Sequence, residues 1–276
     1  MIAQTWAHVH ERGDTADRMT RPTPASGSLV NATYWWYVAR AELLEVALAG
    51  AVPNGGVVVD IGSADGPSVG WLDAHVRRVP LDIDPAGLPP GGVCASATAL
   101  PFADGVLDAV SAFDVIEHFQ AEGALLAELH RVVRPGGRLL LSVPAYQWAW
   151  SSHDEAAGHH RRYTRRRLVA ALTAAGFAPD RVTHAFAATF PFFVADRLRE
   201  RLSGTAVQRV AVGALPTWAE RMLLRCTRVD AWLLRIVDVP FGSSIFATAV
   251  RRQEVTRGGA ASSPGRWRPS RGAAPQ

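Results

Sequence analysis

The densest gathering of groups able to move a proton, hold an anion or ligate an ion runs from Pro144 to Tyr163, PAYQWAWSSHDEAAGHHRRY. Aromatic residues come first. His153, Asp154, Glu155, His159, His160, Arg161, Arg162 and Tyr163 follow. Histidine and carboxylate are the usual proton-transfer groups, and a pair of arginines can clamp a phosphate or carboxylate. His153, Asp154, His159 and Tyr163 are therefore candidates to orient a polar ligand and take its proton. On that reading Asp154→Asn and His159→Ala stop turnover and leave the melting temperature intact. A plainer reading has Asp154 and the arginines pair with one another to order the loop. The types of His153, Asp154, His159 and His160 also suit a metal. A loop with His at many positions reads first as a hydrogen-bonded lid, so no metal is expected. A shorter group is Asp114-Val115-Ile116-Glu117-His118. His118 reads equally as a general base or as a tie to the next strand.

These groups need a frame. VVVDIGSADG, Val57 to Gly66, opens with a continuous apolar run, which predicts a strand buried on both faces. A glycine turn follows it, and Pro67 suits the first turn of a helix running through Val69–His75. Strand, glycine turn and helix let backbone N–H groups approach a nucleotide-like ligand closely. VPLDIDP (79–85) predicts a second strand ending in acids, although Pro80 removes a ladder donor. Asp82 lies about 20 residues past the glycine turn, where such folds place an acid on ribose hydroxyls. A short third strand is expected near Val93–Ala97 and a fourth over Leu107–Phe113. A helix over Ala121–Val133 and a fifth strand over Arg138–Val143 follow. Next come a helix over Arg165–Ala175 capped by Thr164, and a sixth strand at about Val182–Thr189. Alternation of this kind predicts an α/β fold with a mostly parallel sheet. Upstream, Asn31 or Thr33 could cap a helix carrying Trp35 and Trp36, which read as core residues or as a wall of the site.

The chain has 276 residues, 48% of them hydrophobic, enough for one large domain. No apolar run reaches the ~18 residues of a membrane span, and no segment of signal-peptide type opens the sequence. Cys94 and Cys226 lack metal-ligand spacing and read as reduced thiols. The net charge is +4 and every basic residue is Arg. Most of the excess lies in a Gly-, Ala-, Ser- and Pro-rich tail, so no nucleic-acid partner is expected. The expected organisation is a flexible leader (1–30), a folded domain (31–252) and a disordered tail (253–276).

Taken in order, DIGSADG, LDIDP, ATALPFADGVLDAV, FDVIEHF and LHRVVRPGGRLLLSVP resemble the class I S-adenosylmethionine-dependent methyltransferases, in the type 11 methyltransferase domain group. The resemblance implies a doubly wound, Rossmann-like seven-stranded sheet with an antiparallel last strand, Ser243–Val250. It implies S-adenosyl-L-methionine as cofactor. Asp60, Gly62 and Gly66 would surround its methionine portion, Asp82 its ribose, and Ile83, Ser96 and Ala97 its adenine. Asp114 would close the pocket near the sulfonium. Two positions depart from the family pattern. Ala64 stands where a glycine is usual, and Ser96 where an acid commonly accepts the adenine amino group. HDE followed by GHHRRY resembles a subgroup of these enzymes.

A helical insert, 191–237, precedes the last strand. Its apolar stripes and eight arginines predict amphipathic helices, either a cap on the sheet or a surface meeting a membrane or lipid-linked substrate. The expected function is methyl transfer to a small-molecule or lipid-linked acceptor by a cytoplasmic enzyme, with peripheral contact to the inner face of the membrane through 191–237. The alternatives are a non-catalytic scaffold built on the same fold, or a nicotinamide-dependent dehydrogenase.

Overall fold

The computed structural model describes residues 33–52, 54–74, 76–203 and 215–253. The expected leader, nearly all of the expected tail, and Asn31 lie outside these residues. Seven strands form one sheet: β1 (Val57–Ile61), β2 (Arg77–Asp82), β3 (Val93–Cys94), β4 (Leu107–Phe113), β5 (Val133–Pro144), β6 (Phe177–Ala185) and β7 (Ser244–Arg251). Their spatial order is β3-β2-β1-β4-β5-β7-β6. The neighbours from β3 to β5 pair parallel, and β7 runs antiparallel to both β5 and β6. Chain order reverses between β1 and β4, and ligands of doubly wound sheets sit at that switch, beyond the carboxyl ends of the strands.

The continuous apolar runs exist because both faces of the sheet are covered. Val59, Ile61, Val110, Ala112, Leu139 and Leu141 point into one core, with Leu125, Leu129 and Leu168. Those last three come from α2 (Glu122–Val132) and α4 (Arg165–Ala174). The alternate residues Val58, Ala109, Phe113 and Leu140 join a second core with Leu43, Leu44 and Leu234. That face is covered by α1 (Trp35–Leu48) and α6 (Thr217–Leu234). Among the described residues there are also α3 (Ser152–Ala157) and α5 (Phe190–Ser203).

Several boundaries differ from the sequence expectation. The segment after the glycine turn, Ser63–Ala74, is a 3-10 helix and not an α-helix. α1 begins after Tyr34, with no side-chain cap. β6 starts earlier than expected and ends at Ala185, because its partner β7 sets its extent by pairing Phe177 with Arg251 and Ala185 with Ser244. Pro80 is accommodated by its direction. Arg77 and Leu81 bond toward β1 while Asp82 bonds outward to Ala95, so Pro80 also faces outward. There β3 reaches only Leu81 and Asp82, and the missing donor has no strand to meet. Thr164 caps α4 by accepting from the Arg167 amide at 3.2 Å. In the insert the described residues form α5 and α6. α6 buries Thr227, Ala231 and Leu234, while Trp218 (69% exposed) and Trp232 (58%) face outward. Among the described residues no helix is long and apolar enough to cross a membrane.

Candidate active site

The cofactor side is built where β1 and β2 end. Gly62 leaves β1 with φ +74, a conformation that favours glycine. A Cβ there would stand 2.8 Å from Val115 Cγ2, so the close passage of this turn under the β4 loop requires glycine. A Cβ on Gly66 would meet no atom within 4 Å, which leaves its backbone approachable. Asp82 is fully buried at the end of β2, and its Oδ1 accepts from the Asp84 amide at 2.9 Å. Ile83 packs partly buried on the core, and Ala97 is fully buried within it. The Ser96 hydroxyl lies 3.0 Å from that of Thr98. Asp60 sits in the sheet, not over it. Its Oδ1 accepts from Ser111 Oγ at 2.6 Å and its Oδ2 lies 3.6 Å from Arg78.

Asp114 closes this edge. It takes a positive φ of 55, unusual outside glycine, and is held there from two sides. Arg40 donates to Oδ2 at 2.8 Å and Ser142 donates to Oδ1 at 3.0 Å. Arg40 is buried and lies over the Trp36 ring, which stacks on Phe186. The first helix thus fixes the site wall through Trp36 and Arg40. Arg40 was not among the residues expected at the site. Its signal was a lone arginine on the apolar stripe that carries Trp36, Leu43 and Leu44.

The loop after β5 is closed at its base and tied across. The Tyr146 amide donates to the Tyr163 carbonyl at 2.7 Å, the Tyr163 amide to Pro144 at 2.8 Å, and the His160 amide to the Glu117 carbonyl at 2.8 Å. That last bond sets the loop beside the β4 loop, and the His118 and His159 rings come to 4.7 Å. Asp154 is the hub. Its Oδ1 accepts from Arg162 Nε at 2.8 Å and lies 2.8 Å from His159 Nδ1, and its Oδ2 accepts from the Ser151 amide at 2.9 Å. Burial opposes the charge, but the contacts from His159 and Arg162 hold this carboxyl down at about 2. Glu122 is a second hub, accepting from Tyr163 Oη, from Arg161 at 3.0 Å and from Arg167 at 3.2 Å.

These contacts correct part of the sequence reading. Arg162 is buried on Asp154, and Arg161 is taken up by Glu122 and the Gln120 carbonyl, so neither is a ready anion clamp. Tyr163 is fully buried, and burial and Glu122 push its hydroxyl well above the usual tyrosine range. The geometry gives it a structural place. His153 is exposed, with its ring 6.5 Å from that of His159. His118 is buried, which together with His159 lowers it to about 3 and keeps the ring neutral. Glu117 is fully buried, and both its oxygens lack a hydrogen-bonding partner among the described residues. Burial, with Asp114 nearby, raises its carboxyl well above the ordinary range, against the opposing pull of its own backbone amide and of the Arg40 and Arg162 charges.

A glycine-cradled switch point, an acid ending β2 and an acid closing β4 define a Rossmann-like ligand site of the methyltransferase type. Residues 59–141 match the family described as the methyltransferase domain. An uncharacterized methyltransferase of Mycolicibacterium gilvum is 31% identical over 201 residues, 62% of this chain and 77% of the relative. One from Mycobacterium leprae is 30% identical over 220 residues, 73% of this chain and 74% of the relative. The fold also matches a chain of the Haloferax volcanii complex containing the Trm112 methyltransferase activator, with a TM-score of 0.53, 17% identity, and 83% and 94% of the two chains covered. The chain belongs to the class I methyltransferase-domain family, and it is an S-adenosylmethionine-dependent enzyme. This sets aside the dehydrogenase and non-catalytic scaffold alternatives. The residues present fit the cofactor: the backbone at Gly62 and Gly66 is the kind of cradle a Cβ would disturb or that leaves room for a ligand.

Proposed function

We propose that the acceptor is a small molecule or lipid-linked compound with an apolar portion, methylated by a cytoplasmic enzyme that contacts the membrane peripherally. One observation carries this reading. Beside the loop runs an aromatic shelf, with Tyr146 and Trp148 stacked at 5.7 Å and Phe190 and Phe193 at 5.9 Å. Phe241 lies 5.8 Å from Phe190 and is 47% exposed. On the insert, Phe192, Trp218 and Trp232 are each more than half exposed. An exposed aromatic surface of this kind suits an apolar partner or the membrane interface.

The bound cofactor supplies an electrophilic methyl on a sulfonium. The chain's own residues do the rest. The Gly62 turn and Asp82 hold the cofactor's methionine and ribose portions, Ile83, Ser96 and Ala97 flank adenine, and Asp114 walls the sulfonium side. His118 and His159, neighbours on the two loops over this edge, are placed to orient the acceptor. The test has two arms. Calorimetry should detect S-adenosylhomocysteine binding to the purified chain. Flotation should carry the protein up with vesicles containing anionic lipid, and salt should release it. Absence of vesicle binding would discard the membrane contact and leave the insert as a cap on the sheet.

A further inference from the structure

We infer that Glu117, His118 and His159 form a mononuclear divalent metal site of the zinc class, with an open position for an oxygen of the acceptor. This rests on the methyltransferase reading and adds a ligand that reading does not require. One ligand atom from each of the three residues lies within 4.8 Å of the others. Three atoms so placed have a common point within about 2.8 Å of each, and metal bonds of about 2.0–2.2 Å need each side chain to draw in by at most roughly 0.7 Å.

The donors carry independent marks of a ligand site. Both oxygens of Glu117 are buried without a hydrogen-bonding partner among the described residues, and so is Nδ1 of His118. Buried polar atoms are almost always paired, and orphans on three adjacent donor atoms call for a common partner. A divalent ion satisfies all of them at once. His159 completes the set. Its Nδ1 lies 2.8 Å from Asp154 Oδ1, which leaves Nε2 for the metal. Metal-bound histidines characteristically place their other nitrogen on a carboxylate, which fixes the ring. Asp154 is itself locked by Arg162 and Ser151. Two imidazoles and one carboxylate form a three-ligand set that leaves a coordination position open, as catalytic zinc sites do. Glu117 and His118 follow Asp114 on the same loop, which sets the site beside the cofactor edge.

The test uses the full chain without an affinity tag, stripped with a chelator. Zn2+ is titrated against a chromophoric competitor, and Co2+ is added as a visible-spectrum probe of coordination. The expected result is one equivalent bound and a cobalt spectrum of low coordination number. Glu117→Gln should weaken binding by more than the roughly 10–100-fold that loss of a merely supporting partner costs, and His159→Ala should do likewise. Glu117→Gln keeps the shape of the side chain, so its metal-free melting temperature should match that of the metal-free wild type. Zn2+ should raise the melting temperature of the wild type and not of the variant. No binding by the wild type overturns the site, as does equal binding by Glu117→Gln, which marks adventitious histidines elsewhere. S-Adenosylhomocysteine calorimetry on the metal-free wild type is read separately. Binding there with no metal bound leaves the methyltransferase reading standing and removes only the metal.

Discussion

Asp154→Asn should unfold the protein early. Asp154 is fully buried, and among the described residues it is the one acid ion-paired with Arg162, itself 5% exposed. Each oxygen already serves donors, Oδ1 facing Arg162 and His159 and Oδ2 facing Ser151. An asparagine has a single acceptor oxygen. Whichever way it turns, its NH2 opposes a donor, and the buried guanidinium loses its counter-charge. Breaking a buried pair from one side costs about 3–5 kcal/mol. At roughly 2–4 °C per kcal/mol for a domain of this size, the lower figure alone shifts the melting temperature by roughly 6–12 °C. This reverses the expectation from sequence that the variant melts normally. Urea unfolding and thermal melts at neutral pH measure it. A midpoint indistinguishable from wild type would refute the reasoning, because it would mean that Arg162 finds another partner or solvent at no cost.

The same carboxyl gives a pH prediction. Its folded value of about 2 lies below its ordinary 3.8, so its contribution is present above pH 4 and is lost as pH falls from about 4 to about 2. At about 1.4 kcal/mol per unit this amounts to roughly 2 kcal/mol, and the acid limb of wild-type stability should flatten in Asp154→Asn. Asp82→Ala should weaken S-adenosylhomocysteine binding by roughly 1.5–3 kcal/mol in calorimetry, and unchanged affinity would remove Asp82 from the ribose. Gly62→Ala should destabilise the fold by about 1–3 kcal/mol through positive φ and the contact with Val115. A melt equal to wild type would show that the turn relaxes freely.

Local pattern determined the frame. The apolar run Val57–Val59, with Ile61, announced a strand covered on both faces, because each residue of a strand commits its side chain to one face and successive apolar residues need cover on both. The Gly62 turn and the acid at Asp82 were legible for the same reason: a positive φ and a strand-end acid are properties of one short segment. Strand ends were less legible where a neighbour decides them, as for β6, whose limits follow β7. The loop from His153 to Tyr163 was legible as chemistry but not as geometry. Nothing in its residue types says that Asp154 will be buried on Arg162, that Tyr163 and Arg161 will turn to Glu122, or that Arg40, 74 positions before Asp114, will hold the site wall. Those outcomes, and the meeting of Glu117 and His118 with His159, depend on two loops leaving neighbouring strand ends and joining through one backbone hydrogen bond from His160 to Glu117. Such a bond is set by the order of strands in the sheet, and only the folded chain brings its two halves together.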